Sequence, residues 1–402
     1  MSPPARDEAP SIAVVSAPFD ADIRDPADLL VRYRSLGCWV RALVEAGAGP
    51  VTVIQRFHRD AHVQRDGAHY QFVCDGGPAK PRAWAWSHRV AGAVRAAAPA
   101  VVHVDGLVFP LLIRHLRLSL PGDTAIVVQD HGGVHAGSAG FQSWQWRLFY
   151  RLGLRAADGF LFTDRGLAAP WLASQIMRPD QAIYEVLESS TDMAATYAPD
   201  DDGGPPMPGS PALLWVGRLD ENKDPLTILH GFERVAAAHP RAMLTMVFGT
   251  DGLLPRVTAR IAASPVLAGR VRLLGKIDHQ ELPRLYAAAD FFVLGSHHEA
   301  AGFALLEALS FGVTPVVSDI PPFRMLTDGG RLGALFPIGD GEAMGAALLR
   351  LCSGDPTARR ELVRGHFGRA LSWPVVGRSL LAAYRDVSAR RRQRRQRRPA
   401  AS

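Results

Sequence analysis

Short apolar runs alternate with polar turns and with segments of helical spacing along most of this chain. Residues 11–18 and 51–54 are apolar runs typical of buried strands, and residues 28–46 between them carry apolar side chains at helical spacing. A strand, a helix and a second strand in this order make up the repeating unit of a parallel sheet. The pattern therefore predicts that the chain begins with a Rossmann-like α/β domain.

The same alternation continues through the first half of the chain and starts again after a segment rich in Pro, Gly and Asp at residues 198–210, which is typical of a linker. Further strands are predicted at residues 101–104, 125–128, 159–163, 182–187, 212–216, 242–248, 271–274, 291–294, 313–317 and 332–336. Further helices are predicted at residues 107–118, 141–154, 225–238, 279–288 and 373–387. Residues 58–86 show no regular pattern. These elements predict two Rossmann-like domains, at residues 1–197 and 211–370.

The most informative stretch is residues 295–319, which follows the strand at 291–294 with a polar turn, a helix and another strand. Glu299 lies in the turn, and Glu307 lies eight residues later, about two turns into the helix. Glu307 has apolar neighbours, and a buried carboxylate is costly unless it has a partner, such as the paired hydroxyls of a ribose. Gly302 lets a ligand approach the free amides and the positive dipole end of the helix. A solvent-facing helix glutamate is the alternative interpretation of Glu307.

Two blocks of sequence fit together here. One runs from Glu299 through Glu307 to the segment PVVSD at residues 315–319, and the other is LWVGRLD followed by NKDP within residues 214–225. Together they resemble the signature of the retaining nucleotide-sugar glycosyltransferases of family 4. The resemblance is clear over residues 211–388 and loose in the first half of the chain.

The resemblance implies the GT-B fold, in which two Rossmann-like domains face each other across a cleft. The first domain binds the acceptor and the second binds the nucleotide-sugar donor. In this family a C-terminal helix, here residues 371–388, returns to the first domain.

The resemblance also implies roles for residues of the second domain. Arg218 and Lys223 would neutralise the donor diphosphate, which makes a metal ion unnecessary. Glu299 would fix the sugar hydroxyls and stabilise developing positive charge, and Glu307 would hold the ribose. The remaining donor-binding candidates lie at the ends of strands and at the start of a helix: Lys276, Ile277, Gly302 and Phe303. The alternatives are an Arg218 that only pairs with its neighbour Asp220 and a Lys223 on a helix surface.

His131 is the candidate from the first domain. It follows the strand predicted at residues 125–128 and precedes two glycines, a position where parallel sheets bind ligands. It resembles the family's histidine that approaches the donor sugar, and the alternative is a satisfied turn histidine. With Glu299, Arg218 and Lys223 it completes the predicted catalytic set. The resemblance implies transfer with retention of configuration, by front-face attack assisted by the leaving phosphate rather than by a pair of carboxylates.

Composition adds limits rather than chemistry. The chain of 402 residues is 48% hydrophobic and 21% charged, which is ordinary for a globular protein with two domains. It has no apolar run of membrane-spanning length, and its N-terminus is polar and proline-rich, so we expect a cytoplasmic protein. Three scattered cysteines without metal-ligand spacing are expected to be buried free thiols.

The net charge of +6 arises from the C-terminus. Seven arginines lie in residues 389–402, so the rest of the chain sums to 6 − 7 = −1. Such a block predicts a disordered basic tail, with peripheral contact to an anionic membrane as one interpretation and a solvated end without a partner as the other. No specific nucleic-acid partner is expected.

The sequence therefore predicts a metal-independent, retaining hexosyltransferase that uses a UDP- or GDP-sugar and a saccharide or lipid-linked acceptor. Two alternatives remain open. One is a GT-B epimerase or phosphorylase, which would need further acid-base carboxylates or a cofactor lysine. The other is a non-catalytic nucleotide-sugar-binding or scaffold protein, which would not need Glu299, Arg218 and Lys223.

Overall fold

The chain folds into two α/β units, each built on its own sheet. The computed structural model describes residues 9–132, 143–198 and 207–397. The first unit comprises Met1–Ser189 and Trp373–Ser402, and the second comprises Ser190–Ser372. Most of the linker predicted at residues 198–210 lies outside the described residues, as do Gly133 beside His131 and the first two residues of the helix predicted at 141–154.

Eight strands form the sheet of the first unit in the order β3-β4-β2-β1-β5-β6-β7-β8. Their bounds are β1 Ile12–Ser16, β2 Val51–Arg56, β3 Ala61–Arg65, β4 Ala68–Val73, β5 Val101–Asp105, β6 Ala125–Gln129, β7 Gly159–Phe162 and β8 Ala182–Glu185. All neighbours pair in parallel except β3 and β4. The central strands are apolar and almost wholly buried, as expected when helices cover both faces of a parallel sheet.

Among the residues that the structure describes, six α-helices precede the C-terminal segment of the first unit. They are α1 Pro26–Arg32, α2 Arg34–Glu45, α3 His88–Ala96, α4 Pro110–Ser119, α5 Trp144–Leu154 and α6 Ala169–Ala173. The single helix expected at residues 28–46 is wrong, because the backbone of Tyr33 leaves the helical region between α1 and α2. The helix starts earlier than expected, since Pro26 occupies its first turn and Asp25 accepts a hydrogen bond from the amide of Ala27.

The segment expected to be irregular contains the hairpin of β3 and β4. Its two-residue turn, Asp66-Gly67, has positive φ angles of 54° and 74°, which is the conformation that this residue pair favours in tight hairpins. β3 is mostly exposed and carries polar residues, so its hydrophobic pattern gave little indication of a strand. The turn dipeptide was the available signal.

Six parallel strands form the sheet of the second unit in the order β11-β10-β9-β12-β13-β14. Their bounds are β9 Ala212–Gly217, β10 Met243–Phe248, β11 Val271–Gly275, β12 Phe291–Leu294, β13 Thr314–Ser318 and β14 Ala334–Phe336. The helices are α7 Met193–Thr196, α8 Pro225–Ala238, α9 Leu254–Ala262, α10 Leu282–Ala288, α11 Phe303–Ser310, α12 Pro321–Leu326, α13 Gly341–Cys352 and α14 Pro356–His366. The fold class expected from the sequence, two parallel-sheet α/β domains, is confirmed.

Both sheets reverse their strand order at one place. In the first unit the chain extends from β1 to β2 on one side and returns to β5 on the other. In the second unit it extends from β9 to β10 and β11, and returns to β12. The loops at such a reversal leave the carboxyl ends of adjacent strands in opposite directions and open a crevice. A ligand site is therefore expected at the carboxyl ends of the strands beside each reversal.

The C-terminal helix α15, Trp373–Gln396, belongs to the first unit, as expected. It packs closely on α2, and a Cβ atom at Gly377 would lie 2.0 Å from the carbonyl oxygen of Ala42. The sequence predicts a disordered tail at residues 389–402, whereas α15 continues through Gln396, and residues 398–402 lie outside the described part of the chain. None of the helices in the described segments has the length and apolar character needed to cross a bilayer.

The helix continues because the arginines of its last turns have partners. Arg391 contacts Asp158, Arg394 contacts Asp180 and Arg395 contacts Asp123, all in the first unit. Arg390 pairs with Asp386 one turn earlier in α15. Seven like charges favour disorder in isolation, and opposite charges on the surface beneath them remove that repulsion.

Candidate active site

Hydrogen bonds join the loops that follow β9 and β12 at the crevice of the second unit. The side chain of Asn222 donates to the carbonyl of His298 over 3.0 Å and accepts from the amide of His298 over 3.1 Å. The amide of His297 donates to the carbonyl of Asn222 over 2.8 Å. This pairing fixes the two loops against each other on either side of the strand reversal. Asn222 is a positioning residue whose role was not predicted from the sequence.

Lys223 and Glu299 meet at this junction. The ammonium group of Lys223 forms an ion pair with Glu299 Oε1, and Ser296 Oγ donates to the same oxygen over 2.7 Å. The two charged side chains are only 15% and 12% exposed. Two candidates from separate motifs, 76 residues apart in sequence, are thus in direct contact. The alternative of a Lys223 on a helix surface is wrong, since the side chain is largely buried and ion-paired.

Asp224 supports the same loop in a strained conformation. Its φ of 41° and ψ of 62° lie in the left-handed region, which a non-glycine residue adopts at a cost. The side chain caps α8 by accepting from the amide and the hydroxyl of Thr227, and His297 Nε2 lies 3.0 Å from its Oδ2. The turn that carries Lys223 is therefore held in place by the helix cap, by His297 and by the hydrogen bonds of Asn222.

Arg218 follows β9 directly and extends into solvent. Its side chain is 61% exposed, and Nε lies 2.9 Å from Asp220 Oδ2. Asp220 also accepts a hydrogen bond from the amide of Lys223 over 3.0 Å. The pairing with Asp220 considered from the sequence is present, yet an exposed ion pair of this kind is weak, so Arg218 remains available to an anion.

Glu307 projects from α11 towards α10. Tyr286 donates a hydrogen bond to Glu307 Oε2 over 2.9 Å, and His279 Nε2 lies 3.6 Å from Oε1. Burial, and then the neighbouring carboxylate, raise the pKa of Tyr286 well above its ordinary value. Glu307 is 16% exposed, so the alternative of a solvent-facing glutamate is wrong. Tyr286 is a further positioning residue that the sequence did not reveal.

Gly302 begins α11 with a φ of 65°, a left-handed conformation that favours glycine. A Cβ atom there would lie 3.0 Å from the ring of Phe323 and 3.2 Å from Leu326. The glycine is therefore needed for the turn and for packing, whereas the sequence suggested ligand access as the reason. Phe303 beside it is about half exposed.

Lys276 and Ile277 follow β11 at the same edge of the sheet. β10 lies between β11 and β9, so these two residues are two strands away from the Lys223–Glu299 pair. Lys276 is exposed and Ile277 is half-buried. Their role in binding a nucleotide base stays a prediction.

His131 follows β6, one strand beyond the reversal of the first unit, and is held between two carboxylates. Its Nε2 contacts Asp105 at the end of β5, and its Nδ1 lies 2.8 Å from Glu188 Oε1 beyond β8. Burial opposes protonation of the ring, but the two carboxylates outweigh it and raise the pKa of His131 well above its ordinary value. The His131 clamp, as we call Asp105, His131 and Glu188, therefore favours the protonated form of the imidazole. Both ring nitrogens therefore have partners, so the alternative of a satisfied turn histidine stays open, and the role of His131 beside a donor sugar stays a prediction.

Other polar groups surround the His131 clamp. Burial acts to raise the pKa of Asp105, but the charge of His131 and hydrogen bonds lower it to about 2. Burial raises the pKa of Asp130 to about 6. Gln129 Nε2 and Glu188 Oε2 are buried and have no hydrogen-bond partner among the described residues. Such unpaired groups are costly and suit a ligand that both donates and accepts hydrogen bonds, such as a sugar hydroxyl.

Within the described ranges, no group of three or more His, Cys, Asp or Glu side chains is arranged to hold a metal ion. The three cysteines are free thiols, as expected, but each is half-buried rather than buried. In the second unit, the cationic groups predicted to bind the diphosphate are the side chains of Arg218 and Lys223.

Comparison with known proteins finds a family that is similar to this part of the chain. Residues 210–354, which carry the Lys223–Glu299 pair and Glu307, match the model of the family described as Glycosyl transferases group 1. Over these residues the second unit is similar to that family. The strand reversal, the ion pair and the carboxylate of α11 all lie within the matched residues.

Curated relatives agree with the family. The chain is 31% identical over 247 residues to a GDP-mannose:cellobiosyl-diphosphopolyprenol alpha-mannosyltransferase of Xanthomonas campestris, covering 60% of this chain and 61% of that protein. It is 30% identical over 186 residues to a phosphatidyl-myo-inositol mannosyltransferase of Mycolicibacterium smegmatis, covering 44% of this chain and 45% of that protein. The matches thus span about half the length of these relatives.

Solved structures show the fold of the whole chain. A sucrose-phosphate synthase from Thermosynechococcus elongatus aligns with a TM-score of 0.64 at 20% identity, covering 94% of this chain and 99% of that one. A trehalose 6-phosphate synthase from Burkholderia multivorans aligns with a TM-score of 0.67 at 14% identity, covering 98% of this chain and all of that one. At this identity the likeness shows the GT-B fold and nothing finer.

Proposed function

We propose that this protein is a metal-independent, retaining glycosyltransferase that transfers a hexose from a nucleotide sugar to a saccharide or lipid-linked acceptor. The observation that carries the proposal is the buried Lys223–Glu299 pair at the strand reversal of a glycosyltransferase domain, with Glu307 held on the adjoining helix. GDP-mannose is the favoured donor among GDP- and UDP-sugars, because two relatives are named mannosyltransferases and one is named for GDP-mannose.

The leaving diphosphate requires cations. Lys223 lies at the start of the α8 segment and Arg218 at the end of β9, so both reach the crevice from the same edge of the sheet. A diphosphate would draw Lys223 away from Glu299 and Arg218 away from Asp220, exchanging each carboxylate for a phosphate oxygen. This exchange neutralises the leaving group without a metal ion.

Two carboxylates then have separate tasks. Glu299, released from Lys223 and still bound by Ser296, accepts hydrogen bonds from the sugar hydroxyls and stabilises the oxocarbenium-like transition state. Glu307 accepts hydrogen bonds from the paired ribose hydroxyls, and Tyr286 keeps it oriented. The retaining reaction proceeds by front-face attack, with a leaving phosphate oxygen taking the acceptor proton.

His131 acts in the first unit as a cationic hydrogen-bond donor. Two carboxylates hold its ring through both nitrogens, so a substrate hydroxyl replaces one of these contacts rather than meeting a mobile side chain. The unpaired Glu188 Oε2 and Gln129 Nε2 offer that hydroxyl an acceptor and a donor.

Thermal-shift binding in excess EDTA tests the donor. GDP-mannose, UDP-glucose and ADP-glucose are compared on the wild type, on Glu307→Gln and on Glu342→Gln, an exposed glutamate of α13 that serves as the matched control. A donor at 100 times its dissociation constant stabilises the protein by about 2.7 kcal/mol. We expect GDP-mannose to stabilise the wild type and the control, and Glu307→Gln to lose most of the shift.

Product analysis tests the reaction. We expect release of the nucleoside diphosphate in the presence of a saccharide or polyprenol-linked acceptor, and an unchanged rate after EDTA treatment. Binding of a donor without transfer to any acceptor would favour the non-catalytic nucleotide-sugar-binding protein. Absence of binding for all three donors would overturn the proposal. A released epimer or sugar phosphate would favour the epimerase or phosphorylase.

A further inference from the structure

Helix α5 presents an apolar stripe to solvent. Trp144, Leu148 and Leu152 recur every four residues on one side of the helix and are 69%, 45% and 53% exposed. The opposite side packs into the core through Tyr150, Gly153 and Leu154. Large apolar side chains exposed in a row on one helix mark an interaction surface more often than isolated ones do.

Arginines follow the same spacing on the same side. Arg147, Arg151 and Arg155 lie four residues apart, and residues 143–155 contain no Asp or Glu. Their guanidinium groups donate to backbone carbonyls, Arg147 to Ser174 and Arg151 and Arg155 to Gln175, over 2.8 to 3.1 Å. A carbonyl oxygen orients an arginine but leaves its charge uncompensated.

The surroundings of this stripe are cationic too. Arg178 donates to the carbonyl of Arg155 over 2.6 Å and pairs with Asp180, which also contacts Arg394. Burial, and then the charges of Arg151 and Arg178, lower the pKa of Arg155. Several arginines therefore lie close together here, with Asp180 as the carboxylate among them. An anionic partner would reduce the repulsion between these arginines.

We propose that the α5 face, formed by Trp144, Arg147, Leu148, Arg151, Leu152 and Arg155, docks on a membrane surface rich in anionic lipid. Trp and Leu side chains enter the boundary between headgroups and acyl chains, while arginines bind lipid phosphates. The apolar and cationic residues are interleaved along the helix, whereas protein interfaces collect apolar residues in a centre with a polar rim. The interleaving therefore favours a membrane over an acidic protein.

The support beneath α5 is rigid, which makes the face separable from the fold. At Gly153 a Cβ atom would lie 2.3 Å from Pro110, so α5 lies directly against α4. The exposed side chains are on the other side of the helix. Their replacement by serine should therefore leave the core intact, which circular dichroism and the melting temperature check.

Vesicle co-sedimentation of the full chain tests the proposal without any nucleotide sugar. Vesicles of phosphatidylcholine alone are compared with vesicles containing phosphatidylglycerol. The variants are Trp144→Ser/Leu148→Ser/Leu152→Ser, Arg147→Gln/Arg151→Gln, and the control Val31→Ser/Leu362→Ser, which removes two exposed apolar residues elsewhere. A fourth variant, Arg392→Gln/Arg397→Gln, probes the end of α15.

We expect the wild type and the control to bind anionic vesicles, and high salt or neutral lipid to weaken this binding. The arginine variant should bind about thirtyfold more weakly, and the serine variant at least about tenfold more weakly. Absence of vesicle binding by the wild type, or full binding by the serine variant, would overturn the proposal. Binding lost only in the Arg392 and Arg397 variant would assign it to the end of α15 instead. Donor-induced thermal shifts of the same variants report separately on the proposed catalytic function.

Discussion

At the scale of single residues, both sites depend on charged side chains that hold one another. Lys223 and Glu299 are paired in the second unit, and His131 lies between Asp105 and Glu188 in the first. Under the proposed function, a substrate group takes the place of one partner in each case, while the remaining contacts of the site hold the other side chains. The cost of organising the charges is therefore met before the substrate binds.

The two carboxylates around His131 predict that its imidazolium loses its proton at a higher pH than an ordinary histidine does. We expect its NMR titration midpoint above 6.5 in the wild type, lower than that of the wild type in Glu188→Gln or Asp105→Asn, and unchanged in Glu342→Gln. Because the folded-state pKa is raised, the stability from this cluster is complete below pH 6.5 and is lost as the pH rises through the raised value. A midpoint near 6.5 in the wild type would contradict the structure.

Asp130 predicts the pH dependence of a single substitution. Its pKa is raised from 3.8 to about 6, so its contribution to stability is complete below pH 3.8 and is lost as the pH rises through 6. Asp130→Asn removes the buried charge and should stabilise the protein at pH 8, by at most about 3 kcal/mol, and by about half as much at pH 5. Melting temperatures at both values check this, with the exposed Asp251→Asn as the control for net charge. An equal effect at both values would exclude a raised pKa.

At the scale of elements, the sequence predicted the site in the second unit better than the site in the first unit. Lys223 and Glu299 lie in compact motifs in the loops after β9 and β12, so their contact follows from the parallel sheet, and Glu307 lies on the helix that follows the second of these loops. Their supports, Asn222 and Tyr286, carry no such pattern, because a hydrogen bond between distant loops leaves no local periodicity. The Asp105 and Glu188 partners of His131 were missed for the same reason. The β3–β4 hairpin was missed because β3 is exposed on both faces, although its Asp-Gly turn was visible.

The start of α11 predicts the cost of a single methyl group. Gly302→Ala forces a left-handed φ on a residue with a Cβ atom and presses that atom against Phe323. We expect a loss of about 2 kcal/mol or more in the free energy of unfolding. Gly249→Ala is the matched control, because nothing lies within 4 Å of its Cβ position. Equal melting temperatures for the two variants would show that the turn tolerates alanine.

At the scale of the whole molecule, the chain leaves the first unit at Ser189 and returns to it at Trp373. The returning helix α15 completes the first unit by packing on α2 and by pairing its arginines with acidic residues. The net charge of the chain suggested a free basic tail, because a residue count cannot show which acidic groups lie beneath a helix. The polybasic end is thus largely a structural feature, and the α5 face is the better candidate for a membrane contact.

Arg391 provides the test of this assignment. Its Nη1 lies 3.1 Å from Asp158 Oδ1 and its Nε donates to the carbonyl of Gly122 over 2.8 Å. Asp158 is nearly buried and also binds Arg117 and the amide of Ile126. Loss of Arg391 removes one of its two cationic partners, so Arg391→Ala should lower the stability of the first unit by about 1–2 kcal/mol.

The comparison is with Arg392→Ala, the exposed neighbour, and with a chain that ends at residue 388. We expect calorimetry to show no change for Arg392→Ala, a lower melting temperature for Arg391→Ala and a still lower one for the shortened chain, which loses the Arg391, Arg394 and Arg395 contacts together. A disordered tail predicts the opposite, since its removal would leave the melting temperature unchanged or raise it by reducing like-charge repulsion. The sign of the change for the shortened chain therefore distinguishes a helix that stabilises the first unit from a solvated basic end.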